Sequence, residues 1–469
     1  MIDETGNTEG LERIRTGNAQ LDDILGGGFP ANSINILMGE PGSGKTILAE
    51  RLIFENARTS DEGRPILYLT TLSEPLEKVV RYLQQFDFYD DEKLASGAIV
   101  YDSLGRELET QGISALVPKL KEVIKTLGPK IIVIDSFKAI HDLSTSVPDM
   151  RRMLYEVSSL LTAYDTTALL LGEYSEDMIS TLPEFAVADG MVELARTKRS
   201  TRDERYLRVL KLRGSAYREG YHAFRIASSG LEVFPRLTSP AIPLIFDATT
   251  ERRISTGVDG LDALLAGGLP VGSTTILEGP TGSGKTTAAM QFALEGVRCG
   301  EPALYVNFQE NPSRLARTVQ NLGTTMEAAR AGGLHLLYAS PVELQIDTII
   351  VELFDIVKRH GIKRVAIDAI SDLFSSGGDL ARTVGYLYAL GQNLQVMGAT
   401  AVMTLESSAT TAVTLVGQVS PICDNIVSLS VDRRQDQARR LLNIIKARGT
   451  DHDLDAHLIE ITARGVAVR

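Results

Sequence analysis

Two eight-residue stretches of this chain have the composition and spacing to cradle phosphate. Gly39-Glu40-Pro41-Gly42-Ser43-Gly44-Lys45-Thr46 and Gly279-Pro280-Thr281-Gly282-Ser283-Gly284-Lys285-Thr286 both satisfy GxxxxGK[ST]. Glycines let successive backbone N–H groups curl around anionic oxygens. A helix opening at the same point turns its positive end toward the anion. Gly42, Ser43, Gly44, Lys45, Thr46 and Ile47 are therefore expected to bind phosphate, and so are Gly282, Ser283, Gly284, Lys285, Thr286 and Thr287. Lys45 and Lys285 would reach the β- and γ-phosphates of a nucleoside triphosphate, and Thr46 and Thr286 would place a hydroxyl on Mg²⁺.

Phosphoryl chemistry also needs a carboxylate for the Mg²⁺ shell, carried at the end of a buried strand. Asp135 closes the apolar run Ile131–Ile134, and Asp368 closes Val365–Ile367. Hydrolysis needs in addition a group that orients or deprotonates water. The candidates follow the second apolar strand of each half: Ser73-Glu74-Pro75 in the first and Phe308-Gln309-Glu310-Asn311-Pro312 in the second. Each stretch offers one carboxylate.

These groups recur because the chain repeats itself with a period of about 240 residues, too long for a solenoid and right for duplicated domains. Arg15-Thr16-Gly17 leads into Leu21-Asp22 and Gly26-Gly27-Gly28-Phe29-Pro30, and Ser255-Thr256-Gly257 leads into Leu261-Asp262 and Gly267-Gly268-Leu269-Pro270. The proline-bearing stretch from Arg236 to Pro243 ends the first half. The expected division is a first domain over 1–235, a linker over 236–250 and a second domain over 251–469. Ser33–Met38 and Ser273–Leu277 read as strands entering the phosphate loops, and Ile47–Ala57 and Thr287–Val297 as the helices leaving them. Ile66–Leu69, Ile131–Ile134 and Ala168–Leu171, with Ala303–Val306, Val365–Ile367 and Ala401–Leu405, are nearly all apolar, as strands buried on both faces must be. Strands alternating with helices imply an α/β fold, two tandem P-loop domains with a mainly parallel sheet flanked by helices. After Met191 and Ile426 strand-like segments dominate, as an antiparallel edge would.

Composition narrows the classes. The 469 residues carry 43% hydrophobic and 23% charged residues and a formal net charge of −12. That charge argues against whole-surface attraction to nucleic acid or anionic membrane. Cys299 and Cys423 form no CxxC. The N-terminus is polar and acidic, unlike a signal peptide, and no apolar run is long enough to span a bilayer. A cytoplasmic protein is expected.

With these motifs in place, the chain resembles the KaiC-like circadian-clock ATPases, a branch of the RecA-like group, over about residues 12–460. A late motif in each half adds to the likeness: Lys211-Leu212-Arg213-Gly214-Ser215 and Lys446-Ala447-Arg448-Gly449-Thr450. The resemblance implies ATP as the nucleotide and a homo-hexamer of two stacked rings with ATP at subunit interfaces. The P-loop would come from one subunit and Lys211 and Arg213, or Lys446 and Arg448, from its neighbour. An arginine delivered in trans neutralises charge spread over a transferring phosphoryl group. Residues two apart on a strand share a face, so each Lys–Arg pair is expected to point one way. By similarity Leu212, Ser215, Ala447 and Thr450 also touch the nucleotide, and Arg205 and Arg440 lie near it.

The sequence departs from that family in three places. The family has adjacent glutamates in the catalytic loop, where this chain has Ser73-Glu74 and Gln309-Glu310. Slow turnover, or catalysis by the second residue of each pair, is the expectation. The family's autokinase modifies an adjacent Ser–Thr pair; here Ser420 matches the serine and Pro421 replaces the threonine, leaving Ser420 as the candidate phosphoacceptor. The chain stops at Arg469, where the family has a long tail for a stimulating partner, and that tail is expected to be absent. A KaiB-like regulator stays among the expected partners. The leading function is an ATP-hydrolysing protein with possible Ser/Thr autokinase activity in circadian or related signalling. Two alternatives stand beside it, a non-hydrolysing nucleotide switch and a recombinase-like DNA-binding ATPase.

Overall fold

The computed structural model describes residues 11–59, 63–71, 76–144, 146–199, 202–241, 252–340, 345–377, 380–407, 417, 419–432 and 439–469. Ser73 and Glu74, most of the expected linker (242–250) and residues 433–438 lie outside the described residues. The chain divides into two compact units, Met1–Arg236 and Leu237–Arg469.

In the first unit β1 (Arg13–Ile14) and β2 (Phe29–Pro30) form a short antiparallel pair. A nine-stranded sheet follows, built from β3 (Ile34–Met38), β4 (Ile66–Thr70), β5 (Ile99–Ser103), β6 (Ile131–Asp135), β7 (Thr167–Gly172), β8 (Gly190–Arg199), β9 (Arg202–Leu212), β10 (His222–Ala227) and β11 (Gly230–Phe234). Their spatial order is β11-β10-β9-β8-β3-β7-β6-β4-β5. The pairs from β8 through β3, β7, β6 and β4 to β5 are parallel, and β8 to β11 are joined antiparallel. The parallel strands are apolar on both faces because each face is covered. Leu37, Val133 and Leu171 join one cluster, with the P-loop helix, and Ile36, Ile134 and Leu170 join the other.

The second unit repeats the plan. The pair is β12 (Arg253–Ile254) and β13 (Leu269–Pro270). The sheet holds β14 (Thr274–Gly279), β15 (Ala303–Asn307), β16 (Leu334–Tyr338), β17 (Arg364–Asp368), β18 (Thr400–Glu406), β19 (Asn425–Asp432), β20 (Arg439–Ala447), β21 (His457–Thr462) and β22 (Gly465–Val468). The order β16-β15-β17-β18-β14-β19-β20-β21-β22 is that of the first unit, strand for strand. This is the tandem RecA-like architecture, with the antiparallel edge where the sequence indicated it.

The conserved spacing of the two lead-ins has a local cause. Asp22 Oδ1 accepts from the backbone N and the hydroxyl of Thr16, both at 2.8 Å, and Asp262 Oδ1 does the same for Thr256 at 2.8 and 2.6 Å. The glycine run then crosses the first lead-in strand: a Cβ on Gly28 would stand 2.4 Å from the Ile14 carbonyl oxygen, and one on Gly268 would stand 2.3 Å from that of Ile254. No side chain fits there, so only glycine lets the hairpin close.

Both P-loop helices are longer than expected, Lys45–Thr59 and Lys285–Arg298. The lysine and threonine of the motif already have helical backbone, which brings the first-turn N–H groups next to the loop.

Candidate functional site

Each P-loop leaves the carboxyl end of the central strand, β3 or β14, where parallel sheets collect ligands. A Cβ on Gly39 would stand 2.0 Å from the Leu194 carbonyl oxygen, and one on Gly279 would stand 2.3 Å from that of Leu429, so the loops lie tight against β8 and β19. Lys45 Nζ donates to the carbonyls of Gly39 and Glu40, both at 2.9 Å, and Lys285 Nζ to those of Gly279 and Pro280 at 2.7 and 2.9 Å. Burial pushes both ammonium groups below their ordinary pKa. The nearby carboxylates oppose this, Glu173 and Asp135 for Lys45, and Glu406, Asp368 and Glu278 for Lys285.

The two aspartates sit where the sequence put them, with different company. Asp135 Oδ2 accepts from the Thr46 hydroxyl at 3.0 Å and from Tyr68 OH at 2.8 Å. Asp368 Oδ2 accepts from Tyr305 OH at 2.9 Å, and its Oδ1 accepts from the Thr404 hydroxyl. The peptide following each aspartate is cis, a further detail that the halves share. At the position matching Thr404 the first unit has Leu171, so only the second aspartate gains that hydroxyl.

A cavity of about 260 Å³ opens over the second P-loop, lined among others by Lys285, Thr286, Thr287, Gln309, Glu310 and Asp368. Asn307, at the end of β15, shapes the loop that follows it. Asn307 Oδ1 accepts from the backbone N–H of Gln309 at 3.1 Å and of Glu310 at 3.0 Å, and its amide donates back to the Glu310 carbonyl. The two side chains then part. Gln309 Nε2 turns to Asp372, 3.0 and 3.1 Å from its two oxygens. Glu310 keeps a buried Oε2 that has no hydrogen-bond partner among the described residues. Burial, and then the charge of Asp368, push the Glu310 carboxyl above its usual pKa, while Arg314 opposes them. Of the two side chains, Glu310 is the one whose carboxylate keeps an oxygen unpaired among the described residues. Glu74, the carboxylate of the corresponding first-unit loop, stands one residue further along, level with Asn311, and lies outside the described residues.

The late cations gather at the other end of the sheet. Lys211 Nζ donates to the Ala188 carbonyl at 2.6 Å, and Arg213 pairs with Asp189 at 3.1 Å. In the second unit Lys446 Nζ donates to the carbonyls of Ser420 and Cys423 at 2.5 and 2.7 Å, and Arg448 donates to that of Pro421 at 3.2 Å. Each pair leans on one short segment, although β9 and β20 stop one residue before the arginine. Those segments are tied to the amino ends of β3 and β14: Asp189 accepts from Ile34 N at 3.1 Å and Asp424 from Thr274 N at 2.8 Å. The P-loops leave the carboxyl ends of the same strands, on the order of 15 Å away at ~3.3 Å per residue.

The remaining expected contacts divide. Leu212 and Ala447 are buried in the cores and can offer a ligand only backbone. Ser215 accepts from Arg13, and Thr450 accepts from Arg253 at 2.9 Å, so each hydroxyl is held by the lead-in arginine of its own unit. Arg440 Nε donates to the Gly282 carbonyl at 3.2 Å, beside its own P-loop. Arg205 carries a buried Nε without a partner among the described residues. Sequence reasoning passed over Tyr68 and Tyr305, yet a phenol recurs at the third position of Ile-Leu-Tyr-Leu-Thr and Ala-Leu-Tyr-Val-Asn. It also passed over Glu173 and Glu406, which follow the sixth residue of matched strands and face the P-loop lysines.

The arrangement suits a nucleoside triphosphate with a hard divalent cation: a hydroxyl and a carboxylate for the cation, a lysine and backbone N–H groups for phosphate. A family model described as "ATPase: KaiC" matches residues 14–238 and again 254–469. The circadian clock oscillator protein KaiC of Picosynechococcus sp. is 27% identical, over 99% of this chain and 91% of that protein. KaiC 1 of Synechocystis sp. is 26% identical over 98% of this chain and 90% of that one, and the circadian clock protein KaiC3 of Synechocystis sp. is 25% identical over 100% and 93%. Among the described residues no helix is long and apolar enough to cross a membrane.

Proposed function

The chain belongs to the KaiC ATPase family, and from that premise we propose that it binds Mg²⁺–ATP at both P-loops and hydrolyses it, with Glu310 activating water at the second site. The observation that carries this reading is the buried, unpartnered Glu310 carboxylate oxygen in the cavity that Lys285, Thr286 and Asp368 also line. Bound Mg²⁺ would supply charge neutralisation between the phosphates. Thr46 with Asp135, and Thr286 with Asp368, would hold it. Lys45 and Lys285 exchange their loop carbonyls for phosphate oxygens. A carboxylate raised by burial is a better base toward water than an exposed one. In the first site the base is Glu74, the one carboxylate that the corresponding loop offers.

Neither Lys–Arg pair can serve the phosphate site of its own unit, because the central strand separates them. This supports delivery of Lys211 and Arg213, and of Lys446 and Arg448, to a neighbouring copy in a homo-hexamer. Ser420 travels with the second pair, since its carbonyl accepts from Lys446 at 2.5 Å. That proximity supports Ser420 as the acceptor of an autokinase reaction at the neighbour's γ-phosphate, and a clock-type signalling role with a KaiB-like regulator follows from the same family reading. Incubation with γ-labelled ATP and Mg²⁺, reading free phosphate and protein-bound label together, tests it. Label lost in both Ser420→Ala and Lys285→Ala supports the autokinase. Phosphate release with no label refutes the kinase and keeps the ATPase, and bound ATP with neither signal refutes hydrolysis.

A further inference from the structure

We infer that Asp372 is a positioning residue of the second site, one that holds Gln309 aside so that Glu310 alone faces the nucleotide. The inference rests on the reading of Glu310 as the base and adds a partner that this reading does not contain.

Asn307 fixes the backbone of both residues, so only their side chains are left to compete for the space over the P-loop. The Gln309 amide is removed from that competition by two bonds to one carboxylate, at 3.0 and 3.1 Å. Asp372 sits in the helix Ile370–Gly377, which begins two residues after Asp368. The contact therefore ties the catalytic loop to the element that follows the Mg²⁺-binding aspartate. Asp372 is half-buried, and burial with the charges of Asp368 and Glu406 raises its pKa, while the Gln309 bond lowers it. The contact needs an amide at 309: a carboxylate there would stand about 3 Å from that of Asp372 and be repelled. The repeat agrees. Where the second half has Gln309 and Asp372, the first has Leu72 and Ala139, so the acid accompanies the amide.

The test measures steady-state ATP hydrolysis in a Lys45→Ala background, which leaves the second site to report. Asp372→Ala and Gln309→Glu should each lower kcat by about tenfold or more with KM nearly unchanged, since a misplaced base costs turnover more than binding. The exchanged pair Gln309→Glu/Asp372→Asn keeps the charge and the hydrogen bond with the roles reversed. It should recover to within about threefold of the background, a coupling that independent sites do not show. Asp372→Ala at background kcat, or an exchanged pair as slow as the singles multiplied, overturns the inference. Glu310→Gln is run alongside. If it keeps full activity, the base assignment has failed; if it is inactive while the exchanged pair does not recover, only the role of Asp372 has failed.

Discussion

Replacing Glu50 by glutamine should remove a pH dependence from the stability of the first unit. Glu50 lies in the first P-loop helix, wholly buried, with Oε2 accepting a 2.7 Å bond from Tyr101 OH. Its Oε1 has no partner among the described residues. Burial pushes the carboxyl from 4.5 up to about 8, with the Tyr101 bond opposing and the Asp135 charge adding to the rise. In the unfolded chain the group titrates near its ordinary value, so between these two pH values the folded state holds a proton that the unfolded state has released. The stabilisation from that proton is complete below the unfolded pKa and is lost as pH rises through about 8. At about 1.4 kcal/mol per pH unit the gap sets a ceiling of ~5 kcal/mol. Glu50→Gln keeps an acceptor for Tyr101 and cannot ionise. The matching helix position in the second unit is Met290, also buried. Urea unfolding at about pH 6 and about pH 8.5, read by hydrogen exchange of peptides from 45–59 against 285–298, separates the units. Wild type should lose about 2–3 kcal/mol in the first unit relative to the variant on going to the higher pH, about 1.4 kcal/mol for each unit between about pH 6 and the folded pKa. Parallel behaviour of the two proteins would refute the reasoning.

Other outcomes follow from the same geometry. Glu310→Gln should lower second-site turnover by about 10²-fold or more while ATP still binds, as single-turnover kinetics would show. Arg448→Ala should cut hydrolysis at the second site by ~10³-fold, and mixing it with Lys285→Ala subunits should restore part of the activity if the arginine acts in trans. Thr404→Val strips Asp368 of one hydroxyl and should weaken Mg²⁺ dependence about tenfold at the second site alone, seen in Mg²⁺ titrations of ATPase rate. The first site, with Leu171 there, should not change.

Much of the fold was legible because its signals are local. Apolar runs marked the central strands, and the glycine patterns marked turns that only glycine can make. The P-loops and both aspartates could be named because a motif fixes residue type and spacing together. The parts that were missed depend on contacts between distant elements. Thr404 reaches Asp368 across neighbouring strands, and Asp372 reaches Gln309 from a helix 63 residues away. Neither pairing leaves a spacing rule in one sequence. Leu212 and Ala447 fell within a recognised motif, yet strand alternation turns their side chains into the core. The Tyr68 and Tyr305 phenols were within reach, since the internal repeat places them in register.

The central claim is that two separate P-loop sites hydrolyse ATP. ATP turnover of wild type, Lys45→Ala, Lys285→Ala and the double variant, measured side by side, tests it most directly. Each single variant should keep the activity of its intact site, and the double variant should keep none. A double variant as active as wild type, or a wild type that binds ATP and releases no phosphate, would contradict the account.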